Sequence, residues 1–157
     1  MPVAPVYSST YRNVIESLRK TILSHPAVKT FRVGPPSQIE MPTNETPEIK
    51  YPYVHLVPQG ATLDGKSTVF DFDFIVMDLA KDQLGLEERT QSAMLEITRD
   101  IVAKYTLTTW DEWRFNLQLP VQSTPFVEEF QNSVAGWTSQ FKIVAITPIS
   151  NCENPVL

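Results

Sequence analysis

The chain has 157 residues and a mass of 17.8 kDa, a length that points to one domain over residues 1–157, able to bury about 70% of the surface its unfolded form exposes. With 42% hydrophobic and 20% charged residues it is composed like an ordinary globular protein, which excludes wholesale disorder and collagen-like repeats. Thirteen basic residues against 18 acidic ones give a net charge of -5, the wrong sign for a protein that neutralises nucleic-acid phosphates or docks on anionic lipid.

From the N-terminus, Met1-Pro2-Val3-Ala4-Pro5 lacks the basic and apolar regions of a signal peptide, and no apolar run approaches a membrane span. The expectation is a soluble protein made and kept inside a cell. After Ser8 and Ser9 as caps, Tyr11, Val14, Ile15, Leu18 and Ile22 follow the i, i+3, i+4, i+7 spacing of one helix face, predicting a helix over residues 8–24. Pro26 closes it, and the short alternating run Val28, Thr30 or Phe31, Val33 before Gly34-Pro35-Pro36 predicts a short strand. Residues 37–52, rich in proline and glutamate, read as a surface loop.

Residues 53–57 predict a short strand and residues 68–79 a longer one, with Phe70, Phe72, Phe74 and Val76 on the face opposite Asp71 and Asp73. A hairpin with its turn over residues 60–66 joins them. Over residues 86–105, Met94, Ile97, Ile101 and Tyr105 form the stripe of a second helix, widened by Leu95 and Val102. Trp113, Phe115, Leu117 and Leu119 alternate with polar residues up to Pro120, the clearest strand pattern in the chain. A polar connection over residues 122–136 then leads to a last strand, residues 137–147, and a flexible polar tail over 148–157. The order predicts an α+β fold: a mainly antiparallel sheet with two principal helices packed on one face.

Signals for chemistry are sparse. Gly60-Ala61-Thr62-Leu63-Asp64-Gly65-Lys66-Ser67 fits the P-loop pattern, but that motif needs a helix starting at the lysine, where amides and dipole converge on phosphate. Here β-patterned residues follow, and only ten residues separate Ser67 from Asp78, too few for a crossover helix. The match is read as a hairpin turn. Asp71 and Asp73, with Asp64, Asp78 and Asp82 near in sequence, are read as a solvated face rather than a magnesium site. His25 and His55 are isolated, and the lone Cys152 in the tail forms neither a disulfide nor a cysteine-based zinc site. The tryptophans at 110, 113 and 137 are read as core or subunit-interface anchors. No catalytic residue, cofactor or metal is assigned.

A first helix closing in His25-Pro26, then residues 28–34, the hairpin with Phe70-Asp71-Phe72-Asp73-Phe74-Ile75-Val76-Met77-Asp78, a Glu-rich second helix and a late Ala135-Gly136-Trp137 strand resemble tailed-bacteriophage tail terminator and head-tail joining proteins. That resemblance is one of layout over most of the chain and carries no catalytic signature. It implies a virion structural protein, made in the host cytoplasm, without enzyme activity or cofactor. Such a protein forms a ring with itself, commonly a hexamer, on the tail tube protein and docks the head connector or neck protein, while DNA passes the lumen without specific binding. Under it, Asp64, Asp71, Asp73 and Asp82 are expected to line or rim the lumen, and Gly60, Gly65, Lys66, Trp110 and Phe126 to fall in interface loops. Two alternatives remain: another phage neck or minor tail component of the same fold, and a small enzyme or ligand-binding domain.

Overall fold

A computed structural model describes residues 10–39, 50–80, 86–107, 115–129 and 133–146. In chain order these are α1 (Thr10–Leu23), β1 (Thr30–Val33), a 3-10 turn (Pro36–Gln38), β2 (Tyr53–Leu63), β3 (Ser67–Leu79), α2 (Leu86–Leu107), β4 (Phe115–Leu117), β5 (Ser123–Glu129) and β6 (Ser133–Ile146). The strands form one six-stranded sheet in the order β1-β2-β3-β6-β4, with β5 also paired to β6. Every pairing is antiparallel except β1 with β2, so the expected α+β class and mainly antiparallel sheet hold.

The alternation of β3 decides where the core lies. Phe70, Phe72, Phe74 and Val76 are buried under both helices, together with Val54 and Leu56 of β2 and Phe141 and Ile143 of β6. Val14, Leu18 and Ile22 of α1, and Met94, Ile97, Ile101 and Tyr105 of α2, complete this cluster, as their helical spacing predicts. Buried polar groups inside it are satisfied locally. Ser17 Oγ donates to the Val14 carbonyl and so receives the Tyr105 hydroxyl at 2.9 Å, which ties the two helices together. Burial pushes the Tyr105 phenol up to about 12. Trp137 Nε1 donates to the Gln91 carbonyl at 2.8 Å and Gln91 Nε2 to the Phe126 carbonyl at 3.3 Å, so α2 is pinned to both β6 and β5. Trp137, read as a core or interface anchor, is a partly buried residue against the main core.

Several expectations are corrected. Among the described residues the clearest strand pattern ends earlier than Pro120: β4 covers Phe115–Leu117 and Leu119 is 56% exposed; Trp113 lies outside the described residues. The supposed polar connection over 122–136 is instead β5 and the start of β6, joined by seven cross-strand pairs from Ser123 with Ser139 to Glu129 with Ser133. Its Pro125 donates no hydrogen bond, and β5 is an edge strand where that is tolerated. The β2–β3 hairpin is longer and its tip narrower than expected: β2 runs on to Leu63, leaving only residues 64–66 as the turn. Gly60 therefore lies inside β2, where the register slips between Pro58 and Gly60, and its φ of 151° is one that glycine alone adopts readily. Residues 40–49 of the predicted loop, the caps Ser8 and Ser9, and the tail 148–157 lie outside the described residues.

Candidate functional site

The face of the sheet away from the helices divides in two. At one end Tyr53, Met77 and Val134 are buried in a second, smaller cluster with Ile39, Tyr51, Ile75 and Phe126 packed on it. His55 sits beside it, 1% exposed, with Nε2 3.0 Å from the Gly34 carbonyl and Nδ1 2.6 Å from the Tyr53 hydroxyl. A carbonyl only accepts, so Nε2 carries the proton and Nδ1 receives the tyrosine hydroxyl: the ring is neutral. This bond fastens the chain after β1 over the open face. Burial, with the nearby Arg32 charge as a lesser cause, lowers the His55 pKa below its ordinary 6.5, against the opposing pull of backbone bonds.

The linkage has a definite sign. Below about pH 6.5 the unfolded chain binds a proton at His55 that the folded chain resists, so this contribution is full above that pH and is lost as acidification proceeds toward the lowered folded value. Thermal melts between about pH 8 and about pH 5 should therefore show a steeper fall in Tm for the wild type than for His55→Gln. Parallel curves would rule out His55 as the titrating group.

At the other end the face is polar. Asp71, Asp73, Gln59, Gln140 and Lys142 surround a cleft of about 340 Å³. Register explains their meeting: Asp71 pairs with Lys142 and Asp73 with Gln140 across β3 and β6, and antiparallel partners share a face. Gln59 Nε2 donates to Asp73 at 2.7 Å, whereas Asp71 Oδ1 is buried without a hydrogen-bond partner. The aspartates are thus half-buried rather than freely solvated. Asp64 lies at the exposed hairpin tip, where it receives the Gly65 amide, and Gly65 and Lys66 are exposed beside it. Phe126 is not in a loop: it lies in β5 and packs on the second cluster. Asp82 and Trp110 lie outside the described residues, so Asp64, Asp71 and Asp73 are what remains of the acidic set, and only the last two stand together.

The turn at Lys66 leads directly into β3, so the amides that follow enter a sheet ladder and no helix dipole points at the P-loop-like residues. Among the described residues, no group of three His, Cys, Asp or Glu side chains is placed to hold a metal ion, and no helix is long and apolar enough to cross a membrane. His25 is spoken for: its Nδ1 accepts the Ala27 amide and its Nε2 donates to Asp100 at 2.9 Å, linking the end of α1 to α2.

Sequence reasoning missed a groove on the helix side. Leu95, Val102 and Leu107 of α2 face Leu119 and Val121 of the β4–β5 connection across an apolar space of about 590 Å³, with Arg99 on its wall. Leu95 and Val102 were expected to widen the core stripe; Val102 does pack against the main core and also lines this groove, whereas Leu95 is exposed on the groove side with Arg99, and Leu107 is 83% exposed. The chain matches no protein-family model, and no curated protein shows significant similarity to it.

Proposed function

We propose that this chain is a virion structural protein of a tailed bacteriophage, a tail terminator or tail-to-head joining subunit that forms a homo-oligomeric ring, in this reading a hexamer, on the tail tube and docks the head connector. The observation that carries the proposal is the resemblance in layout, each of whose parts falls on or against a folded element. These parts are α1 running into His25-Pro26, the hairpin strand β3 from Phe70 to Asp78, the Glu-rich α2, and Ala135-Gly136-Trp137 in β6. Apolar side chains left in solvent toward opposite edges of the sheet, Leu63 at the hairpin tip and Leu107 and Leu119 at the groove, suit a subunit that is completed by neighbours. An acidic chain with Asp71 and Asp73 on an open face suits a lumen through which DNA slides without being gripped.

Native mass across a concentration series, followed by co-sedimentation with purified tail tubes, tests the proposal. A discrete multiple of 17.8 kDa that caps tubes is the expected result. Binding to the portal or adaptor alone would reassign the chain to another neck component of the same fold. The orphaned Asp71 oxygen beside a cleft favours one second reading, a ligand-binding domain. A small molecule that raises the Tm of the wild type, and not of Asp71→Asn, would move the assignment there.

A further inference from the structure

The β2–β3 hairpin carries an apolar residue that its own fold leaves bare. Leu63 pairs with Thr68, which pairs with Ala145, which pairs with Phe115, and these three partners are buried on the helix-covered face. Leu63 points to that same face, yet it is 80% exposed, because the hairpin runs past the helices that cover its neighbours. It stands at the tip beside Asp64 and Lys66, also exposed. Toward the opposite edge of the sheet, with β3 and β6 between, lies the groove of α2 and the β4–β5 connection, apolar along Leu95, Val102, Leu107 and Leu119.

Charge matches as well as apolar character. Arg99 lines the groove and Glu96 stands one helical turn before it on the exposed surface of α2, a pair of opposite charges. Asp64 and Lys66 bring the same two signs, two residues apart, on either side of the turn. A lone leucine beside an acid fits a groove with apolar walls and a base among its lining residues.

We propose that the hairpin tip of one copy seats in the α2 groove of the next copy, with Leu63 between Leu107 and Leu119 and Asp64 toward Arg99. This rests on the ring reading above and gives it a contact. Knob and groove are different surfaces toward opposite edges of one sheet, so the contact is heterologous: each copy offers a knob to one neighbour and a groove to the other. Repetition of such a contact generates a closed ring where the rotation closes, not a two-fold dimer.

The test uses Leu63→Asp, which spoils the knob, and Leu119→Asp, which spoils the groove. Both positions are exposed, so each variant should keep the wild-type melting temperature. Alone, each should raise the concentration needed for assembly by at least about tenfold. Mixed in equal amounts they should form a complex of two chains that grows no further, since one intact knob meets one intact groove and both remaining surfaces are dead. Assembly of either single variant like the wild type would overturn the knob-and-groove contact while leaving the ring reading standing. A wild type that stays monomeric at every concentration would also overturn the contact, and tube binding would then decide the ring reading separately.

Discussion

Gly136→Ala should destabilise the protein by about 3 kcal/mol or more, at or beyond the upper end of the usual cost of overpacking. A Cβ at that position would overlap the Val76 carbonyl oxygen and come within 2.9 Å of Met77 Cα. Those are backbone atoms of β3, which is paired on both sides, to β2 and to β6, and cannot retreat without breaking a ladder. Gly136 also pairs with Phe126 across the β5–β6 ladder, and Phe126 packs on the second cluster with Met77. Two other glycines calibrate the effect. At Gly65 a Cβ meets nothing within 4 Å, so Gly65→Ala should change stability by less than about 0.5 kcal/mol. At Gly60 there is space too, but the φ of 151° makes alanine strained, at a cost of about 1–2 kcal/mol. Urea denaturation should rank the losses Gly136, then Gly60, then Gly65. A Gly136→Ala protein as stable as the Gly65 variant would disprove the close approach of β6 to β3.

What could be read in advance follows from which forces act locally. The Phe/Asp alternation of β3 and the apolar stripes of α1 and α2 carry their own period, and each of those elements formed within two residues of its expected bounds at either end. The strand β5 has no such signature. Ser123, Thr124 and Pro125 read as a connection, and they become a strand only because β6 offers a partner edge, including the Ser123–Ser139 hydroxyl bond at 2.6 Å. In β2 the misplaced turn had a legible clue: Pro58 and Gly60 two residues apart fit a bulge inside a strand as well as the start of a loop. Periodicity put Leu95 and Val102 beside the core stripe but carried no information about whether core or groove lay beyond them. For the candidate site, the shared face of Asp71 and Asp73 was legible from their spacing of two. Their meeting with Gln59, Gln140 and Lys142 was not, because it depends on the β3–β6 register and the β2 bulge. Likewise nothing local announces that the Gly34 carbonyl will hold His55.

Phe74→Ala should cost about 3–5 kcal/mol, the range for removing a fully buried aromatic ring, and lower Tm by roughly 10 °C or more in a chain of this size. Phe74 lies mid-sheet, between Leu56 of β2 and Ser139 of β6, and is completely buried. Its ring stacks on Phe141 with centroids 4.7 Å apart and an interplanar angle of 6°. Truncation therefore removes the transfer term, the ring pair and the contacts with the helices above, and β3 and β6 are too firmly paired to close the cavity. Phe74→Leu, which keeps most of the volume and loses the stack, should cost far less, about 1–1.5 kcal/mol. Set beside Leu63→Asp, these variants separate folding from assembly. Phe74→Ala should lower the melting temperature of the isolated chain, whereas Leu63→Asp should leave that melt unchanged and weaken association. Equal losses for Phe74→Ala and Phe74→Leu would mean that the stack carries the energy and the cavity little. A lowered melt for Leu63→Asp in the monomer would mean that the hairpin tip is part of the core and unfit to serve as a knob.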